Sequence, residues 1–229
     1  MSGNQVRAAR TSRGWNQQYL AKKVSVSQGY VSLLERNRRP VPRRLAAKLA
    51  SVLEMSATTL PLGETTPLKQ DHVPSVLGTL GYPGFEYLRT RQRLNPAEVL
   101  FRTLQSDDVD GRVVEALPWL VMRYHDLNWD WLVPRAKQHD LQNRLGFVVS
   151  AAKRLAENRG DVVATTVLGK WELVLEHSRL QRQDTFSRRT MTESEKKWLQ
   201  VHGSPNAKRW NLLSSLSTEM FHHATHPAS

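Results

Sequence analysis

Apolar residues recur at intervals of three and four along the first sixty positions, with polar and charged residues between them. Such spacing places the apolar side chains on one face of an α-helix. Breaks in the pattern predict four helices, at Val6–Arg13, Gln17–Val24, Gln28–Arg36 and Pro42–Leu53. The predicted core consists of their inward positions and the turn between the second and third: Val6, Leu20, Ala21, Val24, Val26, Val31, Leu34, Leu45, Ala46, Leu49 and Leu53.

The residues between these segments are of the kinds that start and stop helices. Gly14 follows the first helix as its stop. Asn16 and Ser27 precede the second and third, where their side-chain oxygens can accept hydrogen bonds from free N–H groups. Pro42 suits the first turn of the fourth. The short turn at Ser25-Val26 makes the second and third helices a helix-turn-helix.

Helical spacing also dominates the second half of the chain. The predicted elements there are a capped start at Asn95–Glu98, an apolar run from Val113 to Tyr124, the segment Leu141–Asn158, a helix marked by Val163, Val167, Trp171, Val174 and Leu175, a capping box at Thr192–Glu195, and a final helix from Ser204 through Leu216. Pro118 must kink or divide the apolar run. Asp140 is the predicted cap of the segment that follows it.

The stretch between the two helical parts is rich in proline and threonine. Proline removes a backbone donor and disfavours helix at the preceding residue, so residues 61–83 are predicted to be a linker with one short apolar turn near Val76–Leu80. The sequence therefore predicts an all-α protein. Residues 1–60 form a four- or five-helix DNA-binding-type domain, and residues 84–229 form a helical domain for dimerisation or partner binding.

Positive charge is concentrated at the N-terminus. The 229 residues carry a net charge of +12, and residues 1–60 hold eleven Lys and Arg against two acids, Glu35 and Glu54. Such a balance indicates nucleic acid or an anionic membrane surface as partner. No basic amphipathic helix with large apolar residues, no long apolar run and no signal peptide occurs, so we expect a cytoplasmic protein without membrane contact.

Little in the sequence indicates catalysis. Cysteine is absent, which excludes a disulfide scaffold, a cysteine nucleophile and a cysteine-ligated metal. Phosphate-binding, zinc-protease and serine-hydrolase motifs are absent as well. The acidic run Asp107–Asp110 lacks the spacing of a calcium loop and is interpreted as a loop before a helix. The sequence predicts no catalytic residue, no metal and no cofactor.

Residues 15–36 resemble the helix-turn-helix of the phage-repressor/Cro (XRE) family. The matching positions are Gln17, Leu20, Ala21, Val26, Ser27, Val31, Ser32 and Glu35. Ser25 stands where the family usually has glycine. A left-handed backbone at this turn is therefore modestly less favourable than it would be with glycine. The resemblance covers about residues 4–60. It implies a domain that places its third helix in the major groove of double-stranded DNA.

The resemblance also assigns roles to individual residues. Its third helix implies base contacts by Gln28, Gly29, Tyr30 and Ser32, with Gln28 suited to adenine. Phosphate contacts are expected from Asn16, Gln17, Lys22, Ser27, Asn37, Arg38, Arg39, Arg43 and Arg44. Arg10 and Glu35 match a pair that forms a buried salt bridge in several members of the family.

Three functions remain open from the sequence. The first is a transcriptional repressor that binds a palindromic operator as a homodimer and regulates its own synthesis. A loose resemblance of the C-terminal part to antitoxin-type XRE regulators adds a cognate toxin as partner. The second is a one-component regulator with a small-molecule site in the C-terminal domain. The third, from another class, is an enzyme tethered to DNA.

Overall fold

Helices dominate the computed structural model, which describes residues 1–63, 65–88, 90, 93–186 and 191–216. The prediction of an all-α protein is therefore confirmed. The chain divides into two units: residues 1–63 with 92–95, and residues 64–91 with 96–229. Within the ranges described, no helix is both long enough and apolar enough to cross a membrane.

Four helices and a short 3₁₀ turn build the first unit. The helices are α1 (Gly3–Ser12), α2 (Gln17–Val24), α3 (Gln28–Glu35) and α4 (Arg43–Val52), and the turn is Ala57–Thr59. The predicted core positions are buried except Val26 and Leu45, which lie half-buried at its edge. The apolar spacing thus identified the inward face of every helix in this unit, because each helix has only one apolar stripe to bury.

Two helix starts in this unit differ from the prediction, and α1, α3 and α4 each end one residue earlier than predicted. Helix α1 begins at Gly3 rather than Val6, because Ser2 and Gln5 form a reciprocal capping box at its start. Helix α4 begins at Arg43, with Pro42 as the extended residue before it. Gly3 is required at its position, since a Cβ there would lie 1.8 Å from the carbonyl oxygen of Leu34.

Eight helices and one pair of very short strands are described in the second unit. The helices are α5 (Val73–Thr79), α6 (Pro96–Leu104), α7 (Gly111–Arg123), α8 (Trp129–Gln138), α9 (Gln142–Asn158), α10 (Val162–Glu176), α11 (Glu193–His202) and α12 (Pro205–Arg209). Single 3₁₀ segments lie at Gln70–His72 and Pro83–Leu88. The strands β1 (Asp184–Thr185) and β2 (Leu212–Leu213) pair in parallel.

Helix α9 is the centre of the second unit, and α7, α8, α10 and α12 all pack against it. Gly146 of α9 lies beneath the indole ring of Trp210, where a Cβ would come within 2.2 Å of the ring. The ring is fully buried, and its Nε1 donates to Ser150 Oγ at 2.8 Å. Arg144 is also buried, donates to both carboxylate oxygens of Asp184, and pairs with Asp107. These contacts attach the last described segments of the chain to α9.

The sequence misjudged several details of this unit. The segment predicted as a linker contains α5, whose Val73, Val76 and Leu77 are buried in the second unit. Helix α7 runs through Pro118 as one helix, so of the two predicted outcomes, a kink or a division, the division does not occur. The final helix ends at Arg209 because Leu212 and Leu213 pair with β1 instead.

The cap predicted for the start of α9 was also wrong. Asp140 does not cap α9; it adopts a left-handed φ of 57° and pairs with Arg182, while Leu141 occupies the cap position. On α10 the buried stripe is Ala164, Leu168, Glu172 and Leu175. Of the residues that marked this helix in the sequence, Leu175 is buried, and Val163, Val167, Trp171 and Val174 are exposed or half-buried.

Replacing Ser25 by glycine should stabilise the first unit. Ser25 has φ 59° and ψ 50°, a left-handed conformation that costs a residue with a Cβ about 1 kcal/mol and costs glycine little. We expect Ser25→Gly to raise the free energy of local unfolding of α2 and α3 by about 1 kcal/mol. Native-state hydrogen exchange of the full chain measures this change.

The matched control is Gln18→Gly, on an exposed turn of α2 where the backbone is right-handed. That substitution should lower the stability by about 0.5–1 kcal/mol. Equal effects of the two glycines would contradict the role given to the left-handed turn.

Candidate nucleic-acid interface

The turn between α2 and α3 is held by side-chain caps and a small buried residue. Asn16 Oδ1 accepts from the amide of Tyr19 at 2.8 Å, and Ser27 Oγ accepts from the amide of Tyr30 at 3.2 Å. The amide of Val26 donates to the carbonyl of Ala21, which is buried where the two helices meet. The side-chain caps therefore fix the residue at which each helix begins. The hydrogen bond from Val26 to Ala21 fixes the turn that joins the two helices.

A buried ion pair joins α1 to α3. Arg10 Nε lies 2.6 Å from Glu35 Oε1, and Arg10 Nη2 lies 2.9 Å from Glu35 Oε2. The two side chains are 10% and 2% exposed. The remaining terminal nitrogen of Arg10 donates to the carbonyl of Trp15, in the loop before α2. The pair implied by the resemblance is thus present, and it connects three segments of the domain.

The protonation of this pair follows from its contacts. Burial alone raises the pKa of Glu35, but hydrogen bonds from Arg10 and Gln17 and the positive charge of Arg10 outweigh burial and hold that pKa below its usual value. The hydrogen bond to Glu35 raises the pKa of Arg10. Both groups are therefore charged at neutral pH, and the pair acts as a fixed dipole inside the domain.

Two glutamines extend the hydrogen bonds of the ion pair to the surface of the domain. Gln17 Nε2 donates to Glu35 Oε2 at 2.8 Å, and Gln28 Nε2 donates to Gln17 Oε1 at 2.7 Å. Because Glu35 accepts and does not donate, the amide of Gln17 is oriented by it, and Gln28 is oriented in turn. The exposed side chain of Gln28, at the first residue of α3, is held by a chain of hydrogen bonds that begins at Arg10.

The other predicted base-contacting residues lie on the first two turns of α3. Gly29 is exposed, and a Cβ there would meet no atom within 4 Å. Tyr30 is half-buried, with the guanidinium carbon of Arg39 6.0 Å from the centre of its ring. Ser32 is half-buried one turn further along. Gln28, Gly29 and Tyr30 therefore form the open end of the helix.

The five cations predicted to contact phosphate have different surroundings from Asn37, which was predicted to do the same. Lys22, Arg38, Arg39, Arg43 and Arg44 have exposed positions on α2, on α4 and in the loop after α3. Asn37 instead serves the fold, since its Oδ1 accepts from the amide of Gly3 at 2.8 Å and its Nδ2 donates to Asn4. Its left-handed φ of 55° ends α3, so its amide group is committed mainly inside the protein.

A shallow depression on the first unit brings two further residues, Gln18 and Tyr19, beside the predicted contact residues. It is lined by Asn16, Gln18, Tyr19, Ala21, Lys22, Val26 and Gln28. Tyr19 is 43% exposed, packs edge-on against Trp15 and lies under the ammonium of Lys23. Gln18 and Tyr19 directly follow the predicted contact Gln17 on the first turn of α2. This adjacency is the feature of the sequence from which their position beside Gln17 could have been predicted.

The described part of the chain holds no group of three or more His, Asp or Glu side chains arranged to bind a metal ion.

Comparison with known proteins agrees with this geometry. The model of a helix-turn-helix family matches residues 6–60. The searches of curated proteins and of solved structures found no match to the chain. The match identifies the N-terminal domain as a phage-repressor/Cro-type helix-turn-helix. It covers about a quarter of the chain and does not extend to the second unit. Its family is one of DNA-binding transcription regulators rather than enzymes.

Removing one partner of the ion pair should be costlier than removing both. Arg10→Leu leaves Glu35 buried without its cation, which typically costs about 3–5 kcal/mol of unfolding free energy. The double variant Arg10→Leu with Glu35→Leu leaves no buried charge, so we expect it to be more stable than the single variant. Denaturant unfolding of the full chain at pH 7 compares them.

The same pair predicts a pH dependence. Because folding lowers the pKa of Glu35, its stabilising contribution is present above its usual value of 4.5 and is lost as the pH falls through the folded value. The stability difference between wild type and Arg10→Leu should therefore shrink in acid. A difference that stays constant down to pH 3 would argue against a charged pair.

Proposed function

We propose that this chain, which carries an N-terminal domain of the XRE helix-turn-helix type, is a sequence-specific transcriptional repressor that binds a palindromic DNA operator as a homodimer. Base contacts are assigned to the open end of α3, at Gln28, Gly29, Tyr30 and Ser32. Two copies are needed because one short helix contacts too few base pairs for useful selectivity.

The observation that carries this proposal is the hydrogen-bond chain from Arg10 to Gln28. One N–H of Gln28 Nε2 is used by Gln17, which leaves the second N–H and Oε1 of this exposed side chain to contact DNA. That donor and acceptor match the N7 acceptor and N6 donor on the major-groove edge of adenine. Because the side chain is held before DNA arrives, less conformational entropy is lost on binding.

Phosphate contacts surround this end of α3. The cap oxygens of Asn16 and Ser27 are occupied within the domain, so these residues would bind phosphate through their amide N–H and hydroxyl proton. Gln17 keeps one N–H for the same use. The cations assigned to phosphates are Lys22, Arg38, Arg39, Arg43 and Arg44, and Asn37 could add only its second amide hydrogen.

The second unit supplies dimerisation in this proposal. Autoregulation and neutralisation of a cognate toxin are the further roles that the resemblance of the C-terminal part implies. Purification of the chain from its native cells tests the toxin role directly. Absence of a stoichiometric partner encoded beside this gene would contradict it.

Gln28→Ala should weaken specific binding without changing non-specific binding. Loss of one bidentate base contact costs about 1–3 kcal/mol of discrimination at one base pair. The operator is first selected from random duplexes with the wild-type chain. Affinities of both proteins are then measured for that operator and for an unrelated duplex.

Arg38→Ala is the matched control, because an exposed phosphate contact carries no sequence information. It should weaken binding to both duplexes alike and lower the slope of log affinity against log salt by about one unit. If Gln28→Ala lowers both affinities equally, Gln28 does not contact a base and the proposal loses its main support.

A cleft in the second unit favours a second candidate, a regulator that responds to a small molecule. Its volume of about 550 Å³ lies within the range of ligand sites. Apolar residues line it, among them Phe186, Trp198 and Leu213, together with the acidic residues Asp108, Asp110 and Glu195. A bound molecule would then change operator affinity.

Gly111→Trp tests the cleft. Gly111 lines it, and a Cβ there would meet nothing within 4 Å, so an indole can enter the space. A compound that changes both the unfolding temperature and the operator affinity of the wild-type chain should do neither in this variant. Asn158→Trp, at an exposed position of α9, is the control and should respond as wild type does. A response retained in Gly111→Trp would rule the cleft out.

A further inference from the structure

Helix α10 has an apolar face that no described part of its own chain covers. Its inner face, with Ala164, Leu168 and Leu175, is fully buried against α9. On the outer side, Val162 is 74% exposed and Leu173 is 58% exposed. A helix on the surface of a globular unit ordinarily places polar residues at such positions.

Four residues form one line along this outer side, which we call the outer stripe: Val162, Thr166, Gly169 and Leu173. Their spacing of four, three and four residues places them above one another on a helix. The large apolar side chains stand at the two ends, and the small residues stand in the middle. None of the four carries a charge.

In the part of the chain that the structure describes, no neighbour of residue 169 requires glycine there. A Cβ at this position would meet only the Cε atom of Lys153, at 3.8 Å, which is an ordinary contact. Glycine in the interior of a helix costs about 0.5–1 kcal/mol relative to alanine. Because glycine has no side chain, it allows another molecule to approach the backbone of α10 closely at this position.

The outer stripe is complementary to itself. We propose that it is the interface with a second copy of this chain, in which two α10 helices cross antiparallel about a two-fold axis between residues 167 and 168. This arrangement places Val162 of each copy against Leu173 of the other. Thr166 of each copy lies against Gly169 of the other, so the small residues meet where the helices are closest.

Charge also favours a second copy as the occupant. Antiparallel helices bring the N-terminus of one, capped by Asp161, near the C-terminus of the other. The opposite helix dipoles at these ends attract each other. The inference rests on the proposed homodimeric repressor, because a two-fold axis in the protein is what a palindromic operator requires.

Charged substitutions at the two ends of the stripe test the antiparallel pairing. In the full chain, Val162→Lys and Leu173→Glu should each raise the dissociation constant of the dimer at least about tenfold, because each buries a charge against an apolar side chain. The double variant should return to within about threefold of wild type, because Lys and Glu then face each other across the axis. Sedimentation equilibrium measures all four constants.

Rescue in the double variant cannot arise within one chain. Residues 162 and 173 are eleven positions apart on the same helix, about 16 Å, so the new charges can pair only between copies. Val201→Glu is the matched control: Val201 is 67% exposed on α11 and should leave the dissociation constant unchanged. Rescue also shows that the single variants remain folded.

Other outcomes overturn the inference. A wild-type chain that stays monomeric, a Leu173→Glu chain that dimerises like wild type, or a double variant without rescue each exclude the outer stripe as the interface between copies. A monomer that binds an unrelated protein through this face also overturns it. The base preference that depends on Gln28 is measured separately, so loss of the stripe proposal leaves the proposed DNA-binding function standing, and the reverse holds too.

Discussion

The ion pair between Arg10 and Glu35 is the interaction on which the order of the first unit depends. Two charges are removed from water, so the pair is tolerated only because every oxygen and nitrogen finds a partner. Arg10 donates to Glu35 and to the carbonyl of Trp15, and Glu35 also accepts from Gln17. These hydrogen bonds fix the orientation of α1, of α3 and of the loop before α2 relative to one another, which non-directional apolar contacts do less well.

This arrangement connects stability to recognition. The hydrogen bonds run from the buried guanidinium through Glu35 and Gln17 to Gln28, the first residue of α3. A surface glutamine ordinarily samples several rotamers, and each of them would present a different donor and acceptor pattern. Here the interior selects one of them, so the same contacts that hold α1 against α3 also orient the group proposed to contact a base.

The second unit shows where sequence patterns fail and why. Helix α10 is apolar on two sides, so periodicity marked the helix without saying which of its sides meets α9. Asp140 precedes α9 as a cap would, but a left-handed backbone turns it toward Arg182. In the first unit, by contrast, Asn16 and Ser27 cap the helices that they precede, since nothing competes for their oxygens.

The sequence by itself determined the helical class, the start and end of α2 and the turn after it, because these depend on caps, spacing and backbone preferences within a few residues. Only the tertiary structure decided that Asn37 is committed to α1, that Gln17 joins Glu35 to Gln28, and that Val162 and Leu173 of α10 are exposed among the described residues. Each of these involves residues distant in the sequence, or a choice between two faces of one helix, and such choices are made by the packing of the whole unit.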